Sequence, residues 1–71
     1  MKQKGALIYD GKTNRMDIRF NLEDYYGGLH CGTGMEVLID DKWVPTRIEF
    51  GDQWYLVGIE TDQLPGLIVR I

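Results

Sequence analysis

His30 and Cys31 are the only histidine and the only cysteine of the chain, and they are adjacent. A thiol beside an imidazole is the pairing that nucleophilic catalysis uses, the base taking the proton and the thiolate attacking. The spacing argues against that use. Neighbours in an extended chain point to opposite sides, and no second histidine or orienting third group completes a catalytic set. A lone thiol among glycines reads instead as a small hydrophobe, which places Cys31 on the buried side of its segment and His30 outward. Glu23 and Asp24 would extend the pair to a mixed metal-ligand set, but one without the paired spacing of a structural zinc site. No catalytic residue, metal ligand or cofactor is assigned, and the chain is read as a non-enzyme.

The glycines of GGLHCGTG (27–34) resemble a phosphate cradle only in composition. Such loops work by opening onto a helix N-terminus, where free N–H groups meet the anion. Here Gly34 leads into the alternating run Met35–Asp40, which is a strand, and the mechanism is lost. The glycines serve bends and positive φ angles.

Aromatic residues are the stronger functional signal. Tyr25 and Tyr26 stand in the segment 21–34, and Trp43 and Trp54 begin strand-like runs. Tyrosine and tryptophan are enriched at protein interfaces. The binding candidates are therefore Tyr25, Tyr26, His30, Trp43 and Trp54. Of the adjacent tyrosines, one is expected to pack and anchor the segment while the other is offered to a partner.

The elements that position these residues are strands. Met16, Ile18 and Phe20 alternate with Arg15, Asp17 and Arg19, the period-2 signature of a strand with one buried face. The same alternation runs through 35–40, 43–50 and 67–71. Runs 6–9 and 54–59 are apolar on both sides, so pattern alone does not phase them. Asp10-Gly11, Asp40-Asp41, Gly51-Asp52 and Pro65-Gly66 supply turns. Pro45 lacks an N–H and belongs on an edge, bulge or bend. Residues 61–64 allow one short helical turn. The expectation is a single all-β domain over 1–71, with five to six short antiparallel strands curled into a small, partly open barrel. Its expected core is Leu7, Met16, Ile18, Phe20, Val37, Ile39, Ile48, Leu56, Val57, Val69 and Ile71.

Seventy-one residues are near the lower end of what folds without disulfides or metals. One cysteine excludes an internal disulfide, and no apolar run approaches the roughly 20 residues of a membrane helix or signal-peptide length. A cytoplasmic location without membrane association is expected. Net charge is −3, unevenly spread. Residues 1–20 hold five Lys/Arg against Asp10 and Asp17, whereas residues 21–71 hold three against nine Asp/Glu. The acidic balance disfavours nucleic acid as a ligand. Oligomeric state is not readable from these residues.

The segments RMDIRF (15–20), DYYGGLHCG (24–32), EVLID (36–40), WVPTRIE (43–49), WYLVG (54–58) and GLIVRI (66–71) span nearly the whole chain. In them it resembles a family of short uncharacterised proteins of Gram-positive bacteria, a domain of unknown function often carried on plasmids or conjugative elements. The resemblance implies a bacterial accessory protein and transfers no catalytic residue. A weaker likeness, in ALIYD (6–10) and GDQWYLV (51–57), is to Src-homology-3-type barrels, and it implies an Src-homology-3-like fold. After Gly66 the chain runs Leu-Ile-Val-Arg-Ile and lacks the residues of a polyproline groove. The expected function is a non-enzymatic protein-interaction module with an unidentified protein partner, using segment 21–34 and nearby aromatics. The alternative is a nucleic-acid accessory protein of a mobile element, using Lys2, Lys4, Lys12, Arg15 and Arg19.

Overall fold

The computed structural model describes Lys2–Ile71. It is all-β: β1 (Lys4–Asp10), β2 (Arg15–Asn21), β3 (Asp24–Tyr25), β4 (Gly34–Ile39), β5 (Lys42–Phe50), β6 (Trp54–Leu56) and β7 (Ile68–Arg70). The strands form one antiparallel sheet of order β3-β2-β1-β7-β4-β5-β6. The count is seven rather than five to six, because the two-residue β3 pairs with β2 where the sequence reads as loop. Hydrogen bonds between strands do not close the sheet into a barrel, since β3 and β6 remain its two ends.

The register decides which residues share a face. Leu7 pairs with Ile18, Gly5 and Val37 with Val69, and Ile48 with Leu56. Opposed residues lie on the same side of a sheet, so these side chains make one continuous inner face. All but the glycine are buried. The apolar runs that pattern could not phase are settled here: Leu7 and Leu56 point inward, while Ala6, Ile8 and Tyr55 take the outer face.

The observed core adds three residues to the expected set, Leu29, Met35 and Leu64. Phe20, Ile39 and Ile71 pack against it but are only half-buried, and Val57 lies outside it. Leu29 has the largest consequence. The segment after β3 runs back along β2, with Tyr26 N–H donating to Ile18 C=O and Leu29 N–H to Met16 C=O. It then reaches β5, where Gly32 N–H donates to Ile48 C=O and Ile48 N–H to Thr33 C=O. The loop thus spans the gap between the two halves of the sheet, with Leu29 turned into the core beneath it.

The turns follow their residue chemistry. Asp40 and Asp41 both have positive φ (49° and 65°) between paired Ile39 and Lys42, the backbone of a two-residue hairpin. Gly66 sits at φ 96° in a turn closed by Leu67 N–H to Leu64 C=O, as a type II turn requires. Pro45 lies on the part of β5 beyond the reach of the β6 ladder, which pairs only Ile48–Phe50. Two expectations fail locally. Residues 61–64 form no helical turn; Thr61 Oγ1 instead accepts the Gln63 N–H. Strand β6 stops at Leu56, because Ile59 N–H turns back to Leu56 C=O and Gly58 adopts φ 80°.

Gly5 is fixed by close approach. A Cβ there would lie 2.6 Å from Arg19 O and 2.7 Å from Ile18 Cγ2, inside van der Waals contact. The close passage of β1 over β2 therefore needs a residue without a side chain.

Candidate functional site

Asp17 organises the loop that carries most of the candidate residues. It lies on the outer face of β2, opposite Ile8, where alternation predicts a solvated side chain. It is nevertheless buried. Its Oδ1 accepts N–H bonds from Ile18 at 2.8 Å and from Gly27 and Gly28 at 2.9 Å each. Gly27 and Gly28 have φ of 109° and 102°, a region that side-chain-bearing residues rarely adopt, and this aims consecutive N–H groups at one oxygen. Two basic residues hold the same segment from its other sides. Arg15 Nη1 donates to Leu29 C=O, and Arg19 donates from Nε to Asn21 C=O and from Nη2 to Leu22 C=O. The Arg19 guanidinium also stands 5.9 Å from the Tyr25 ring centroid. Asn21 Oδ1 closes the tip by accepting Glu23 N–H.

The held loop presents apolar side chains to solvent. Leu22 is 80% exposed, Tyr25 46% and Tyr26 44%. The expected division of the tyrosines, one packed and one offered, is not found. Strand β3 is a short sheet end with neither side covered, and the anchoring role falls to Leu29. Cys31 was expected on the buried side, and it too is exposed, as is His30. A tight turn, with Thr33 N–H bonded to His30 C=O, carries both outward. Among the described residues, no group of three or more His, Cys, Asp or Glu could hold a metal ion.

Between this loop and the β1–β2 hairpin runs an open groove of about 930 Å³. Asp17, Asp10 and Arg15 of the outer hairpin face line it together with Tyr9 and Lys12, and Tyr25 and His30 line it from the loop side. Tyr25 and His30 are thus brought together at one surface, and Tyr26 lies outside the lining. The two tryptophans are elsewhere. Trp54 is half-buried, donating its indole N–H to Asn14 C=O at 3.0 Å and meeting Phe50 edge-to-face at 4.9 Å. Tyr9 Oη donates to Asn14 Oδ1, so Trp54 supports the groove's hairpin from behind. Trp43 is on the outer face of β5 under the Arg70 guanidinium, 4.3 Å from its ring centroid. Arg70 Nε and Lys2 Nζ each reach Glu36 Oε1 at 2.7 Å. The Arg70 and Lys2 hydrogen bonds hold the Glu36 carboxyl well down, at about 2.

The basic residues do not gather into a patch. Lys2 is paired with Glu36, and Arg15 and Arg19 are spent on loop carbonyls. Lys4 and Lys12 stand at opposite ends of the first hairpin. The residues that sequence reasoning missed are Asp17, Leu29, Leu22 and Tyr9. Asp17 is the instructive one, because an acid inside an alternating strand looks solvated until the Gly-Gly ten residues later is folded over it.

Among curated proteins no match is found. The crystal structure of a protein from Ruminococcus gnavus, a Northeast Structural Genomics Consortium target, is similar at 57% sequence identity with a TM-score of 0.91. The match covers 96% of this chain and 99% of that one. The resemblance to an uncharacterised family with Gram-positive bacterial members therefore holds at that level. The model of the family described as a domain of unknown function, DUF5348, matches residues 5–71, and the chain belongs to that family.

Proposed function

We propose that this protein is a non-enzymatic, cytoplasmic interaction module whose contact surface is the loop between β2 and β4. One observation carries the reading. The loop is tied down by three side chains, Asp17, Arg15 and Arg19, yet turns only Leu29 inward and leaves Leu22, Tyr25 and Tyr26 in solvent. A loop built solely to cover the core would bury its aromatics, which carry the largest apolar surface. Rigidly held, exposed aromatic side chains lose little entropy on binding, as an interface anchor requires. The scaffold is best described as an Src-homology-3-like half-barrel, since the loop bridges β2 and β5 where the ladders leave a gap. The resemblance to proteins carried on plasmids and conjugative elements makes a partner from such an element the target we favour.

The test is affinity capture from the source cell with wild-type protein and with the double variant Tyr25→Ala/Tyr26→Ala. Proteins retained by the wild type and lost by the variant support the reading. Equal retention by both overturns it. Binding that survives the double variant but falls steeply with salt would point instead to phosphate contacts and a nucleic-acid ligand.

A further inference from the structure

We propose that the free edge of β3 receives an extended, basic segment of the partner protein as an added strand, with the Tyr25 backbone as its hydrogen-bonding site. The inference rests on the interaction-module reading and names how the partner's chain meets the loop.

Strand β3 is one end of the sheet, so only one of its two edges is paired. The register says what the other edge offers. Tyr25 stands opposite Arg19, and the Tyr26 N–H donates to Ile18 C=O. Backbone groups of successive residues point alternately to the two edges of a strand. With the Tyr26 N–H turned to β2, the N–H and C=O of Tyr25 turn away from it. Neither takes part in a turn or loop hydrogen bond among the described residues. On both sides of Tyr25 the donors are used, Glu23 N–H on Asn21 Oδ1 and the Gly27 and Gly28 N–H groups on Asp17. One residue thus presents a donor and an acceptor together, the pair that an antiparallel strand exchanges with a single residue of its neighbour.

The side chains around this edge fit an extended occupant. Tyr25 lies on the face of Arg19 and Tyr26 on the face of Ile18, so the two rings flank the edge from opposite faces. Leu22 extends the apolar surface, and all three are exposed. An added strand would cover both rings with its alternate side chains, which gives a reason for neither tyrosine packing within the chain. Charge selects the occupant. Glu23 and Asp24 directly precede Tyr25, are exposed, and join no ion pair among the described residues. Charge on a short edge strand guards against pairing with another copy, and two β3 edges brought together would set the Glu23–Asp24 pairs of both copies at one junction. The same charge attracts a strand that carries Lys or Arg. The occupant is therefore a basic, β-forming stretch of a different protein rather than a second copy of this chain.

The experiment is an amide-resolved NMR titration of the full chain with a short capped peptide alternating valine and lysine, to concentrations on the order of 10 mM. Its valine–glutamate counterpart and a version with every backbone N–H methylated are run beside it. The valine–lysine peptide is expected to shift the Tyr25 amide proton downfield and slow its exchange, and the other two to leave it in place. The double variant Glu23→Gln/Asp24→Asn alters side chains outside every ion pair of the described residues, and it should weaken binding by about three- to fivefold. An unmoved Tyr25 amide, an equal response to the glutamate or the N-methylated peptide, or unchanged affinity in the charge variant each overturns the proposal. Tyrosine-dependent capture of a partner without protection of the Tyr25 amide by the peptide would remove this inference and leave the interaction-module reading standing. Protection of that amide without tyrosine-dependent capture would do the reverse.

Discussion

At the scale of single residues, Asp17 carries more of the architecture than any other polar side chain. Replacing it by alanine strips the acceptor from three backbone N–H groups. Leaving a partly buried donor unpaired costs about 1–3 kcal/mol, and the two glycine donors lie close enough to the surface for water to reclaim part of that loss. We expect Asp17→Ala to lower the urea midpoint and to speed hydrogen exchange at Gly27 and Gly28, with Asp17→Asn close to wild type on both. Exchange at Gly27 and Gly28 that is unaltered in Asp17→Ala would mean that the loop is held without Asp17, by Arg15, Arg19 and the backbone bonds of Tyr26 and Leu29 to β2. Cys31 offers a second residue-level test. It is exposed on a tight turn, so a thiol reagent should label it in the native protein about as fast as after unfolding. Slow native labelling would return Cys31 to the buried side that its residue type alone predicts.

At the scale of elements, β2 shows how far alternation can be trusted. The inner phase of Met16 and Ile18 is right, and Ile18 is completely buried. Ile18→Ala should cost about 2–5 kcal/mol, enough to unfold much of so small a domain. The outer phase is right in direction but wrong in consequence. Arg19 faces outward, yet it binds the carbonyls of Asn21 and Leu22. Arg19→Ala should therefore cost less than Ile18→Ala but loosen the loop tip, visible as faster exchange at Glu23 and a changed Tyr25 environment. Pairing of β1 with β2 makes a further demand that no periodicity reveals. With Arg19 O 2.6 Å from the position of a Cβ, Gly5→Ala must push the strands apart. Overpacking of this kind costs about 1–3 kcal/mol, measured as a drop in thermal midpoint. A Gly5→Ala protein as stable as wild type would show that β1 and β2 sit further apart than described. What the sequence made legible were the strands with one dry face and the turns with special backbone residues, because both are local properties. What it hid was Leu29, a lone apolar residue among glycines, and the burial of Asp17, because each depends on a loop folding back across a strand ten residues away.

At the scale of the whole molecule, the outer face carries two electrostatic clusters. One, at the groove, sets Asp10 and Asp17 beside Lys12 and Arg15, with both carboxylates accepting backbone N–H bonds. The other joins Lys2, ahead of β1, to β4 and β7 through Glu36 and Arg70, and to β5 through the Arg70–Trp43 contact. It thereby ties together the strands at the centre of the sheet, where β7 links the hairpin half to the β4–β5–β6 half. The Glu36 carboxyl is held at about 2, against an ordinary 4.5, chiefly by the Arg70 hydrogen bond and then by Lys2. A carboxyl lowered in the folded state stabilises the fold fully above its unfolded value and loses that contribution as pH falls through the folded one. The loss should begin near pH 4.5 and be complete only below about pH 2. Glu36→Gln, which keeps the shape and removes the charge, isolates the effect. Urea midpoints of wild type and variant should differ by a constant amount near neutral pH and converge as the pH falls through that window. Added salt should narrow the neutral-pH gap, since Lys2 is substantially exposed. A gap that persists undiminished to about pH 2 would assign the stabilisation to packing of the Glu36 stem and Arg70 against Trp43, and would remove the ion pair as the link between the two halves of the sheet.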